Sequence, residues 1–226
     1  MNQTFSIETF LQLAKDQEKD IQNDLMSHKA TVPISFDDYV RLLKVRSEKT
    51  FLERGVPHQF VIDKDNEDMI RELYLYLICS PKGKLKPHIG ILMMGGFGSG
   101  KTVLMKAHCE VSSMITRKII TYIHAEALVE LIKKNGDTPY LKKPLLIDEL
   151  GREKVETKNF GDSLKPITDL IALRYDSGAR TYATTNFNLE THQERYGEFI
   201  RVRMAEMMNI VVLNGKSRRL SNEIKK

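Results

Sequence analysis

The apolar positions of this chain keep two rhythms, and the change between them falls near Pro87. Before it they recur at helical spacing. Phe10, Leu11, Leu13, Ala14, Ile21 and Leu25 among polar neighbours predict a first helix over residues 5–29, broken by Thr31-Val32-Pro33. Ser35-Phe36-Asp37-Asp38 reads as a capping box opening a second helix, with Tyr39, Val40, Leu42, Leu43, Val45 and Phe51 as its apolar members. Gly55 and Pro57 end it. A third helix is expected over residues 66–79, with an acidic first turn.

After Pro87, short apolar runs alternate with amphipathic stretches. Strands are expected at 88–94, 119–124, 145–148, 180–184 and 210–213, and helices at 102–113, 126–134, 163–175 and 198–208. That alternation predicts an α/β fold, with a mostly parallel five-stranded sheet sandwiched by helices. The chain is thereby divided into an all-helical region (1–80), a Pro/Gly/Lys-rich linker (81–87) and an α/β domain (88–226).

Composition narrows the setting. The 226 residues are 41% hydrophobic and 29% charged, as in a soluble globular protein. No apolar run approaches a membrane span, and Met1-Asn2-Gln3-Thr4 lacks the features of a secretion signal. Cys79 and Cys109 are too few for a disulfide framework or a four-cysteine zinc site, and both fall in apolar helical patterns as small core residues. A reduced, cytoplasmic setting is expected. The net charge of +5 is uneven, −2 over residues 1–85 and +7 over 86–226. A basic excess on one domain makes single-stranded DNA a candidate partner through weak electrostatic contact.

The candidate chemistry begins at Gly95-Gly96-Phe97-Gly98-Ser99-Gly100-Lys101-Thr102, which fits the phosphate-binding P-loop, or Walker A, pattern. An apolar strand precedes it, and a helix follows with Val103, Leu104, Ala107 and Val111 on one face. Glycines let the backbone curl until its N–H groups face a phosphate, and the helix adds its positive dipole end. Lys101 can then reach the β- and γ-phosphates of ATP, and Thr102 can coordinate Mg²⁺. Leu145-Leu146-Ile147-Asp148-Glu149 is a buried strand stopping in two acids, the Walker B arrangement. It would put Asp148 where it can hold Mg²⁺ and Glu149 where it can polarise a water.

Two weaker signals follow. Ala183-Thr184-Thr185-Asn186 ends a strand with groups able to bond a γ-phosphate or a water, although Asn also favours turns for local reasons. Arg195, Arg201 and Arg203 sit at helical spacings, and arginine suits a transferring phosphoryl group; spacing does not choose among them.

Taken in order, the P-loop, Leu146-Ile147-Asp148-Glu149-Leu150-Gly151, Thr184-Thr185-Asn186-Phe187-Asn188, Tyr196-Gly197-Glu198 with Arg203-Met204, and Gly215-Lys216-Ser217-Arg218-Arg219 resemble the ATPase domain of the DnaC/DnaI helicase loaders and the IstB transposition helpers, within the AAA+ class. The resemblance spans about residues 88–220. It implies Asn186 as a sensor residue, Arg203 as an arginine finger serving a neighbouring subunit, and Arg219 as a second sensor reading the γ-phosphate in its own subunit. It also implies an ATP-dependent homo-oligomer whose N-terminal helices dock a replicative helicase or a transposase. Three features depart from that pattern. The segment between Lys134 and Leu145 is too short for the extra DNA-contacting helix usual in loaders. A charged stretch from Arg152 to Asp162 follows the acidic pair. Little sequence follows Arg219, so no helical lid is expected. The rival readings are a small-molecule P-loop kinase with 195–203 as its lid, and a nucleotide-dependent adaptor that does not hydrolyse.

Overall fold

The protein is described by a computed structural model over residues 7–26, 32–56, 58–159, 162–215 and 217–218. Three helices come first: α1 (Ile7–Met26), α2 (Phe36–Glu53) and α3 (Glu67–Leu77). α2 starts as its sequence predicts. The Ser35 hydroxyl accepts from the Asp38 N–H at 3.1 Å and donates to the Asp38 carboxylate at 2.7 Å.

A five-stranded sheet follows, made of β1 (Gly90–Met94), β2 (Thr121–His124), β3 (Leu145–Asp148), β6 (Thr181–Thr185) and β7 (Met208–Val212). A small antiparallel hairpin, β4 (Thr157–Asn159) with β5 (Asp162–Leu164), lies in sequence between β3 and β6. The large sheet is parallel throughout, in the order β2-β3-β6-β1-β7. The crossovers are α4 (Lys101–Thr116), α5 (Ala125–Asn135), α6 (Pro166–Asp176), α7 (Leu189–Tyr196) and α8 (Glu198–Met207).

The strand period of two sorts one strand between two cores. Ile91 and Met93 point into a cluster with Leu104, Val111, Tyr182 and Val211, while Leu92 between them points into a cluster with Leu128, Ile147, Leu170, Ile200 and Met204. The first cluster also holds Tyr39 and Leu43 of α2 and Ile70, Leu73 and Tyr76 of α3. α2 and α3 therefore share the core of the α/β body. The segment 81–87 is a turn between packed elements, not a link between two separate cores. Buried polar contacts join the same parts: the Tyr39 hydroxyl meets His108 Nδ1 at 2.9 Å, and Arg180 donates to the Tyr76 hydroxyl at 2.7 Å.

Other elements depart from expectation for local reasons. Residues 163–175 were expected as one helix, but 162–164 belong to the hairpin and α6 starts at Pro166, a residue suited to a first helical turn. The charged stretch after the acidic pair contains that hairpin. α7 has no apolar stripe to betray it. It is announced by Asn188, whose side chain accepts from the Thr191 N–H at 2.9 Å. Between α5 and β3 there is one short 3₁₀ turn, Thr138–Tyr140. Cys109 is buried as expected, whereas Cys79 lies just beyond α3 with φ +51 and is half-buried.

Candidate functional site

Parallel strands bring their carboxyl ends together, so the loops after β1, β3 and β6 meet at one sheet edge. The P-loop leaves β1 there. Gly98 and Gly100 take φ of +77° and +99°, which side chains resist. At Gly98 a Cβ would also lie 2.2 Å from the Ser217 hydroxyl, where the C-terminal segment crosses the loop. Lys101 is buried, and its ammonium donates to the carbonyls of Gly95 and Gly96 at 2.8 and 2.7 Å and to Asn186 Oδ1 at 2.8 Å. The Ser99 hydroxyl is buried with no partner among the described residues. A curled loop with a lysine over it and an orphaned hydroxyl beneath fits an incoming phosphate. Phe97 stands out from the loop, largely exposed.

Asp148 ends β3, buried, and collects hydroxyls. Its Oδ1 accepts from Thr102 at 2.8 Å and from Thr184 of β6 at 2.6 Å, and its Oδ2 accepts from Tyr122 of β2 at 2.8 Å. With Thr102 beside it, this oxygen-rich pair fits Mg²⁺, a hard cation that keeps several waters. Glu149 follows in a left-handed turn, φ +55°, with its N–H donating to the Thr184 hydroxyl at 3.0 Å. Such a φ costs a non-glycine residue on the order of 1–3 kcal/mol. Its carboxylate meets His124 Nε2 at 3.0 Å and the guanidinium of Arg152. Partial burial raises the Glu149 pKa, but the hydrogen bonds from Arg152 and His124 outweigh it, so the carboxyl stays below its usual range.

Behind the site a buried brace joins the acidic turn to the Asn186 loop. Glu153 accepts from the Gly151 N–H at 2.9 Å and from the Tyr196 hydroxyl. Thr185 donates to the Leu150 carbonyl at 2.7 Å and meets His192 Nε2 at 3.0 Å. Arg195 packs on the rings of Phe187 and Tyr196 and donates to the Glu153 carbonyl, so it is occupied in this brace.

The cavity over the loop holds about 490 Å³. Lys101, Thr102, Glu149, Thr184 and Asn186 line it, together with Phe51, His58, Phe60 and Val61 from the end of α2 and the segment after it. Its lining thus combines phosphate-binding chemistry with rings and apolar groups, both of which a nucleotide requires. Arg218 closes the rim. Its N–H donates to the Gly98 carbonyl at 2.9 Å, and its guanidinium makes a two-pronged pair with Asp63 at 2.8 and 2.9 Å. Hydrogen bonding from Arg218 pulls the Asp63 carboxyl down.

The structure gathers Gly95 to Thr102, Asp148, Glu149 and Asn186 into one place. Arg203 lies elsewhere, on α8, bonded to the Ala172 carbonyl and to Asp176 at 3.2 Å and stacked against Phe199 and Tyr175. Arg201 Nε is buried without a partner among the described residues. Arg219 lies outside the described residues. Sequence reasoning passed over Tyr122, His124, Arg152 and Asp63, which touch the site from other segments. Among the described residues no group of three or more His, Cys, Asp or Glu is placed to hold a metal, and no helix is long and apolar enough to cross a membrane.

This is the fold of an α/β P-loop NTPase. The fold is similar to that of solved helicase loaders: the crystal structure of the DnaC helicase loader matches with a TM-score of 0.54 and 21% identity, over 69% of this chain and 93% of that one. The crystal structure of DnaI matches with a TM-score of 0.52 and 19% identity, over 71% of this chain and 87% of that one. No family model and no curated protein matches the sequence.

Proposed function

We propose that this chain binds ATP with Mg²⁺ in the cavity above the P-loop, hydrolyses the ATP, and acts in DNA replication as a helicase-loader-like factor. The observation that carries the reading is the meeting of Lys101, Thr102, Glu149 and Asn186 in the lining of one cavity of about 490 Å³, with Asp148 bonded to Thr102 beside it. Lys101 leaves the carbonyls it now holds and takes the β/γ-phosphates. Thr102 and Asp148 would hold Mg²⁺, which when bound offsets charge on the phosphate oxygens. Glu149, kept ionised by its neighbours, accepts a proton from the attacking water once His124 and Arg152 release it. Asn186 orients that water or the γ-phosphate. A water acceptor, not a small-molecule one, is favoured by Glu149 lining the cavity as a carboxylate able to act as a base.

Arg203 acts on the ATP of a neighbouring copy, with Arg201 the alternative, and Arg219 reads the γ-phosphate of its own. Residues 1–80 carry the partner-docking surface, with Ile7 and Leu11 of α1 exposed for it. Single-stranded DNA is contacted electrostatically through the basic α/β part. The test uses the full chain, because α2 and α3 share the α/β core. Purified chain, Mg²⁺ and ATP are combined with a replicative helicase and a single-stranded DNA circle, and ATP-dependent loading is scored. Loading supports the reading. ATP hydrolysis without loading, but with stimulation of a transposase, transfers the protein to the IstB-like role. No hydrolysis at any protein concentration rejects the ATPase.

A further inference from the structure

We propose that Tyr122 is a positioning residue for the cation that accompanies the nucleotide, holding the second oxygen of Asp148. This rests on the reading that the cavity takes ATP with Mg²⁺. A carboxylate accepts about four hydrogen bonds, two on each oxygen. On Asp148, Oδ1 takes the hydroxyls of Thr102 and Thr184, and Oδ2 takes the phenol of Tyr122 at 2.8 Å. Two bonds to one oxygen leave the carboxylate plane free to turn, because the last torsion of aspartate is broad. The phenol on the other oxygen fixes that plane.

The strand geometry explains why a tyrosine can reach. β2 and β3 run parallel with His124 beside Asp148 and Tyr122 beside Leu146. Tyr122 is thus two residues short of the carboxylate, about 6.6 Å along the strand, which the length of a phenol spans. Because strands alternate, Tyr122 and His124 leave the same face of β2, and each takes one acid of the Asp148-Glu149 pair. The ring is steadied from its other side: the Lys106 ammonium stands 5.3 Å from its centroid and is itself bonded to Glu53 at 2.8 Å. β2 is the edge of the sheet, and 39% of Tyr122 is exposed. A tyrosine so placed adds little to the core, yet its hydroxyl turns inward onto the carboxylate.

The test compares the full-length wild type with Tyr122→Phe, which keeps the ring and its Lys106 contact and loses only the hydroxyl. Each protein is loaded with AMPPNP, and Mn²⁺ binding is titrated by electron paramagnetic resonance. AMPPNP affinity in EDTA is measured beside it. Groups that orient a metal's ligands are worth about tenfold or more in metal affinity. Tyr122→Phe is expected to weaken Mn²⁺ by about that factor, to leave AMPPNP binding in EDTA unchanged, and to raise the Mg²⁺ needed for half-maximal hydrolysis while the saturated rate is kept. Equal Mn²⁺ affinity in the two proteins overturns the role of Tyr122 and leaves the nucleotide reading intact. Weaker AMPPNP binding in EDTA also overturns it, since the residue would then be structural. A wild type that binds no AMPPNP removes the nucleotide reading and the tyrosine's role together.

Discussion

Asp148 and Arg203 are both candidate parts of one ATPase site, and their surroundings are opposite. Asp148 is 3% exposed and is met by hydroxyls from β2, β6 and the first turn of α4. Everything it needs for orientation comes from its own chain. Arg203 sits on α8, paired with Asp176 and packed between the rings of Tyr175 and Phe199, away from the cavity. The carboxylate end of the site is assembled by the fold of one copy. In the role proposed for it, the arginine would meet a phosphate across a boundary between copies and exchange Asp176 for the phosphate. The contrast separates groups the fold of one chain holds together around the cavity from a group that the fold keeps apart from it.

The largest effect expected tests the arginine side. Arg203→Ala should lower hydrolysis by about 10³-fold or more, the worth of an arginine supplied in trans. AMPPNP affinity should not change, and mixing with Glu149→Gln should restore part of the rate. A wild-type rate in Arg203→Ala would move the role to Arg201. Next, Glu149→Gln should lower hydrolysis about 10²–10⁴-fold while ATP still binds, because an amide cannot take the proton. Single-turnover assays with radiolabelled ATP separate the two steps, and undiminished turnover would remove Glu149 from the chemistry. Lys101→Ala should act on the other quantity. Losing one charge-assisted contact of about 1.5–3 kcal/mol weakens ATP binding roughly tenfold or more. Fluorescent-ATP titration that finds equal dissociation constants would detach Lys101 from the phosphates.

The smallest effect concerns stability and pH. Burial lowers the pKa of His192, beside the Asn186 loop, to about 4, and that of His108, under α2, to about 3. The nearby Arg195 adds to the shift at His192. Both histidines are neutral in the fold, whereas the unfolded chain protonates them near pH 6.5. Their contribution to stability is complete above that pH and is lost as pH falls, through about 4 for His192 and about 3 for His108. Within the window each should remove on the order of 1.4 kcal/mol per pH unit. Urea unfolding at pH 7, 6 and 5 measures this, and stability that stays level to pH 5 would contradict the burial of both rings.

The legible parts of the site were those written on one continuous segment. Gly95 to Thr102 form a loop because glycine and lysine recur at fixed spacing between a strand and a helix. Asp148-Glu149 could be placed because an apolar run stops there. That α2 and α3 share a core with the strands was not legible, because helical spacing shows which face of a helix is apolar but not what covers it. Tyr39 and Ile70 turn out to lie against the same cluster as Ile91. α7 was missed because its polar composition leaves no stripe, and the hairpin was missed because three-residue strands carry no period.

The sequence by itself determined the α/β class, the phosphate loop, the acidic pair and the position of Asn186 at a strand end. Those depend on local spacing and on burial along single elements, and local spacing is what a sequence records. Tertiary structure alone decided that β2 lies beside β3, so that Tyr122 and His124 hold the two acids. It also decided that Asp63 and Arg218 meet across 155 positions of chain at the cavity rim, and that Arg203 turns to Asp176. Each is a pairing across space between segments with no shared period, and strand order and helix packing choose the partner.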